Sequence, residues 1–262
     1  MNLIKAFLFW LLLEIILLTV GGGVELLFSF YNSTLLPEYI ASFGFLSSLA
    51  VIILILRLFF PETIRKTIAL CKLSSGIVLT LFIAFSSVFI LFILTIRVGC
   101  LLGLSSFSNK DAGEINLERI VPFFIAAIIT GITEEIIFRG FLGVYFFEKL
   151  NNISAILLIS VLFSIGHMQY SGALPFITAF IFSIISFYII LKTGSIFGSI
   201  GLHAGWNFAF YISGSIFDMN LIIVPFWGNL VELPQIILML VVFSIIWFIP
   251  STSNKQIKDK QI

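Results

Sequence analysis

Charge is what this sequence holds least of: Asp, Glu, Lys and Arg make up 10% of its 262 residues, against roughly 25% in a soluble domain. That shortage, with 60% hydrophobic residues and a mean hydropathy of +1.19, excludes a water-soluble globular domain and marks a polytopic membrane protein. Cysteine is nearly absent too. Cys71 and Cys100 are the only two, and the topology below puts them in connections on opposite faces of the membrane, so no disulfide framework follows. A net charge of +1 offers nothing to a nucleic acid or to an acidic partner. Internal repeats and low-complexity tracts are missing as well. Histidine occurs only twice, which makes its positions informative.

What the chain has in abundance is apolar runs near the length of about 20 residues that a bilayer crossing requires. Eight are read, at 6–22, 38–57, 75–96, 119–146, 153–169, 174–192, 196–212 and 235–249. The sequence therefore predicts an all-α fold: a single membrane domain over 1–262, built as a bundle of eight transmembrane helices. Lys5 and the apolar run after it resemble a signal peptide. The run is long, however, Glu14 interrupts it, and no small-x-small site follows, so it is kept as the first span. Glu14 is expected to turn into the bundle and be hydrogen-bonded there.

Basic residues accumulate on cytoplasmic loops. With the N-terminus inside, ten of the fourteen fall on inner segments (Lys5, Arg57, Arg65, Lys66, Lys72, Lys149, Lys192, Lys255, Lys258 and Lys260) and three on outer ones (Arg97, Lys110 and Arg119). This predicts a multi-pass protein of the cell membrane with both termini cytoplasmic. The connections 23–37 and 97–118 are too short to be domains. The stretch 213–234 reads as a loop with a partly buried aromatic section at Phe226-Trp227, or equally as a re-entrant or surface-lying piece, and the tail from Ser251 reads as polar. Trp10, Trp227 and Trp247 are placed near the interfaces.

The fourteenth basic residue, Arg139, lies inside a span, in Thr133-Glu134-Glu135-Ile136-Ile137-Phe138-Arg139. Charge there is costly and usually functional. On a helix Glu135 and Arg139 share a face four residues apart, acid first, the favourable order for an ion pair. Glu134 points elsewhere and is left without such a partner, which suits it to proton transfer. Both histidines also fall within spans. His167 ends the fifth, in Phe163-Ser164-Ile165-Gly166-His167, and His203 opens His203-Ala204-Gly205-Trp206-Asn207 in the seventh, where His203 and Asn207 share a helical face. Spans four and five form a hairpin turning near Leu150-Asn151, which sets Glu134 and His167 level, each about 25 Å along its helix from the turn. Spans six and seven turn near Thr193-Gly194-Ser195, and the climb from there allows His203 and Asn207 to join the same layer.

A carboxylate, two imidazoles and a carboxamide converging in a bilayer suit amide hydrolysis. Glu134 with His167 holds and deprotonates a water, and His203 with Asn207 donates to the oxyanion. Glu134, His167 and His203 equally make a His₂Glu zinc site with an open position, so zinc is the cofactor if the chemistry is metal-dependent. Phe163 packs, and Ser160 and Ser183 are read as ordinary helix-to-helix contacts. Gly201 and Gly205 let helices approach.

Glu134-Glu135-x-x-x-Arg139, Phe163-x-x-x-His167 and His203-x-x-x-Asn207, in that order on three spans, resemble the three motifs of the CPBP family. That family, of CAAX proteases and bacteriocin-processing enzymes (Abi), includes the type II CAAX prenyl endopeptidases, and the resemblance covers 118–212 as a catalytic core. It implies an intramembrane endopeptidase, of a kind often classed with the metalloproteases. Glu134 is then the general base, Glu135 is held by Arg139, His167 and His203 are the two motif histidines, and Asn207 is the oxyanion-side asparagine. The implied partners are the lipid bilayer and a membrane-associated protein or peptide substrate, lipidated in the eukaryotic members. Bacterial members are linked to bacteriocin maturation and self-immunity. The alternative is a non-catalytic bacteriocin-immunity or scaffold protein of the same fold. A transporter is the third reading, and the inverted repeat that would support it is not found.

Overall fold

The computed structural model describes residues 3–30, 37–71, 75–109, 117–167, 172–221, 223–224, 228–230 and 232–248. Lys72, Lys110, Phe226-Trp227 and the tail from Ser251 lie outside these, as do the side chains of Lys5, Trp227 and Trp247. The helices are α1 (Leu3–Phe30), α2 (Pro37–Phe59), α3 (Pro61–Leu70), α4 (Ser75–Leu101), α5 (Ile120–Glu135), α6 (Gly143–Phe147), α7 (Asn152–Gly166), α8 (Ala173–Thr193), α9 (Phe197–Ile216) and α10 (Glu232–Phe248). Between α5 and α6 the helix widens into a π-helical segment, Ile136–Leu142, so that Ile120–Phe147 runs as one long rod.

Among the described residues strands occur only in connections. β1 (Ser105–Asn109) pairs antiparallel with β2 (Phe217–Leu221), and β3 (Ile223–Val224) with β4 (Gly228–Asn229). The first pairing joins the segment after α4 to the end of α9. From sequence, no strand is read in 97–118 or 213–234. Pairing between segments more than a hundred residues apart leaves no local signal in runs as short as these.

Among the described residues five helices are long and apolar enough to cross a membrane: Leu8–Leu27, Pro37–Phe59, Gly76–Leu101, Ile120–Phe147 and Ala173–Thr193. This is a multi-pass membrane protein with fewer such helices than the eight expected. The difference has a physical origin. α7 is 15 residues long, α10 is 17, and α9 carries Ser199, His203, Asn207 and Ser213 with several glycines, which dilutes its hydropathy.

Local chemistry explains the turns that set the site. Asn151 caps α7, its side chain accepting from the Ser154 N–H at 2.9 Å, the preferred arrangement for an N-cap. Gly194 ends α8 in the left-handed region at φ 69°, as glycine at a helix C-terminus commonly does. Both turns fall where the sequence places them. α3 is not among the expected elements. Pro61 opens it, and it buries Thr63, Ile64 and Thr67 against the rod, while Lys66 reaches Glu148 at 2.6 Å.

Packing brings α9 between α4 and α5. Gly201 and Gly205, one turn apart on either side of His203, make this possible. A Cβ on Gly201 would stand 2.3 Å from the Leu81 carbonyl oxygen, and one on Gly205 2.4 Å from that of Phe85. Small residues at this spacing let membrane helices meet backbone to backbone, and here they fix the depth of His203. Gly201→Ala is expected to push α9 off α4, lowering both thermal stability in detergent and activity, because backbone cannot rotate away as a side chain would. The Ser160 and Ser183 hydroxyls bond at 2.9 Å between α7 and α8, a helix contact as expected. Trp10 is 4% exposed and packs in the core, its indole turned in toward Glu14.

Candidate active site

The two adjacent glutamates end α5 and face different partners. Glu135 is fully buried and holds one ion-pair partner and two hydrogen-bond partners. Arg139 Nη1 lies 3.0 Å from its Oε1, His203 Nδ1 lies 2.9 Å from the same oxygen, and the Ser199 hydroxyl donates to Oε2. A carboxylate in such a place must be paired and hydrogen-bonded to be tolerated, and this one is. Arg139, 1% exposed, also stacks its guanidinium over Phe163 at 4.2 Å and lies 5.7 Å from the Phe187 ring, the geometry of a desolvated cation–π contact. The π-helical turn that carries Arg139 keeps the pairing expected at four residues' spacing. Such turns recur at functional sites.

Glu134 looks the other way. Its Oε2 is buried with no hydrogen-bond partner among the described residues, and stands 3.7 Å from His167 Nε2 and 3.8 Å from His203 Nε2. The expected level placement of Glu134, His167 and His203, carried by α5, α7 and α9, is therefore met. Each imidazole is oriented from behind. His167 follows the last residue of α7 and donates Nδ1–H to the Phe163 carbonyl at 2.8 Å. His203 donates Nδ1–H to Glu135. With Nδ1 committed to an acceptor in both rings, both Nε2 atoms aim at Glu134. A carbonyl or carboxylate behind each ring is what fixes tautomer and orientation in catalytic and metal-bound histidines.

Phe163 does more than fill space. Its ring touches Arg139, lies 4.3 Å from the His167 ring and 6.0 Å from that of His203. Asn207, one turn beyond His203 on α9, is half-buried, and among the described residues it makes no hydrogen bond to the other site residues. Sequence reasoning missed Ser199, whose spacing of four before His203 was the available signal, and Phe182, whose ring packs 5.3 Å from His203.

Zinc makes a stricter demand on these positions. Two ligands of one tetrahedral zinc stand about 3.3 Å apart when the bonds are about 2.0 Å, and the gaps around Glu134 are wider. Among the described residues no group of three or more His, Cys, Asp or Glu is arranged to hold a metal ion. The residues present do not fit the metal, and no step is derived through one.

A carboxylate facing two oriented imidazoles within a multi-pass membrane protein is an arrangement suited to acid–base chemistry. Residues 116–209, which contain all three motifs, match the Rce1-like type II CAAX prenyl endopeptidase family. This is the family that the motifs resemble, over nearly the same stretch, and its members are CAAX-type proteases. No curated protein matches the chain.

Proposed function

We propose that the protein is an intramembrane endopeptidase that cleaves a peptide bond of a membrane-associated substrate with a water activated by Glu134. The observation that carries this is the lone buried carboxylate oxygen of Glu134, at 3.7 Å and 3.8 Å from two Nε2 atoms. Polar groups at such separations are commonly bridged by one water. Glu134 takes the proton of that water as its oxygen attacks the carbonyl carbon, and His167 holds it in line. His203 presents Nε2 to the oxyanion, with the Glu135 carboxylate behind it to offset positive charge on the ring. Asn207, unengaged by the other site residues, adds its amide donors. Preorganised donors of this kind are worth about 10²–10³ in rate each.

Counting α7, α9 and α10 with the five longer helices gives eight spans, with both termini cytoplasmic by the distribution of Lys and Arg. The substrate in this reading is a lipidated or otherwise membrane-bound peptide, which diffuses to the site within the bilayer.

The deciding test compares membrane peptides, by mass spectrometry, in cells carrying wild-type protein and cells carrying Glu134→Gln. Products that appear only with wild type support the endopeptidase. Identical peptide profiles, with protection of the cell from a bacteriocin retained by the variant, favour the non-catalytic immunity protein instead. On purified protein a chelator is expected to leave hydrolysis unchanged. Activity lost with stoichiometric zinc and restored by adding it back would overturn the metal-free mechanism.

A further inference from the structure

Glu14 lies within α1, in Leu8–Leu27, one of the helices apolar enough to cross a bilayer. A carboxyl at that depth is costly unless it has a task or a partner, and the mechanism above gives it none. Two observations bring it to the site. The first is steric. A Cβ on Gly166, the residue before His167, would stand 3.3 Å from Glu14 Oε1, 3.8 Å from its Cδ and 4.0 Å from Oε2. The whole carboxyl thus rests on the backbone that presents His167, in room left by a glycine. The second is electrostatic: Glu14 and Glu134 lie within range of each other's charge. Trp10, one turn earlier on α1, reaches the same carboxyl.

Glu134 faces two imidazoles, whereas Glu14 faces a glycine backbone and an indole. Two carboxyls in such different surroundings suit different roles, one base and one acid, the division by which two carboxyls run hydrolytic chemistry elsewhere.

We infer that Glu14 is the acid of the reaction, protonating the amine that departs while Glu134 receives the proton of the attacking water. The inference rests on the reading of Glu134 as base. The water's O–H bond breaks as its oxygen bonds to the carbonyl carbon, and that proton goes to Glu134. The C–N bond then breaks as nitrogen takes the proton of Glu14. The new carboxylic acid returns its proton to Glu14, and Glu134 gives its own to the amine. One peptide and one water thus become a carboxylate and an ammonium, with both side chains restored.

The test uses detergent-purified full-length wild type, Glu14→Gln and Glu134→Gln on two probes. One is a farnesylated CAAX-type peptide cleaved at its amide, and the other is the same acyl group as a p-nitrophenyl ester, whose leaving group needs no proton. Glu14→Gln is expected to lower kcat on the amide about 100-fold and on the ester by less than about threefold. Glu134→Gln is expected to lower both. Equal loss on amide and ester in Glu14→Gln, or loss on neither, overturns the role of Glu14 and leaves that of Glu134 standing. Full activity of Glu134→Gln on both probes overturns the base itself. Gly166→Ala is the second variant, should Glu14→Gln not fold. Its Cβ crowds the carboxyl, so the amide rate should fall more than the ester rate, and an unchanged ratio overturns the inference.

Discussion

Glu134→Gln is expected to lower kcat/KM for peptide hydrolysis by about 10³-fold, within the range that a positioned general base contributes, while the protein still folds and inserts. The carboxamide is nearly isosteric with the carboxylate, so the packing around the end of α5 is undisturbed. What it loses is the capacity to accept a proton. Among the described residues the buried Oε2 of Glu134 has no hydrogen-bond partner, so the substitution breaks no hydrogen bond of that oxygen, and stability should hold or rise slightly. Steady-state kinetics with a thermal unfolding curve on the same preparation separate the two effects. Loss of activity together with a lowered melting temperature would instead mark Glu134 as a structural group, and retained hydrolysis would remove it from the chemistry.

Arg139→Leu carries the second large effect, and it falls on stability. The guanidinium is 1% exposed and faces the fully buried Glu135. Removing one partner of a buried pair strands the other charge, at a cost of about 3–5 kcal/mol. The stranded carboxylate is also the acceptor of His203 and Ser199, so the site loses alignment along with the fold. Arg139→Leu combined with Glu135→Leu should recover a good part of the stability, because both charges leave together, yet remain inactive, because His203 has lost the carboxylate that orients it. Chemical unfolding in mixed micelles reads the first result and peptide hydrolysis the second. A loss of less than about 1 kcal/mol in the single variant would mean that the pair is solvated, contrary to the packing seen here.

The contrast between Glu134 and Glu135 shows how far the primary sequence reaches. Spacing alone assigned Arg139 to Glu135 and left Glu134 open, because helical geometry fixes which neighbours share a face. The same arithmetic, counted from the turn at Asn151, put His167 level with Glu134. It could not find that Glu135 also holds His203 and Ser199, since those contacts cross from α5 to α9 and depend on how closely two helices approach. Gly201 and Gly205 were legible as small residues, but not which carbonyls of α4 they would meet. Glu14 was legible as an anomaly, and its destination against Gly166 was not.

The chain by itself determined a multi-pass helical protein, the turns at Asn151 and Gly194, and the three motifs whose residues meet at the candidate site, because hydropathy, capping and helical period are local properties. The tertiary structure alone decided which ring nitrogen faces which oxygen, that the rod widens at Ile136–Leu142, and that β1 pairs with β2. Those outcomes follow from contacts between segments far apart in sequence, where several arrangements satisfy the same local preferences and only close packing selects among them.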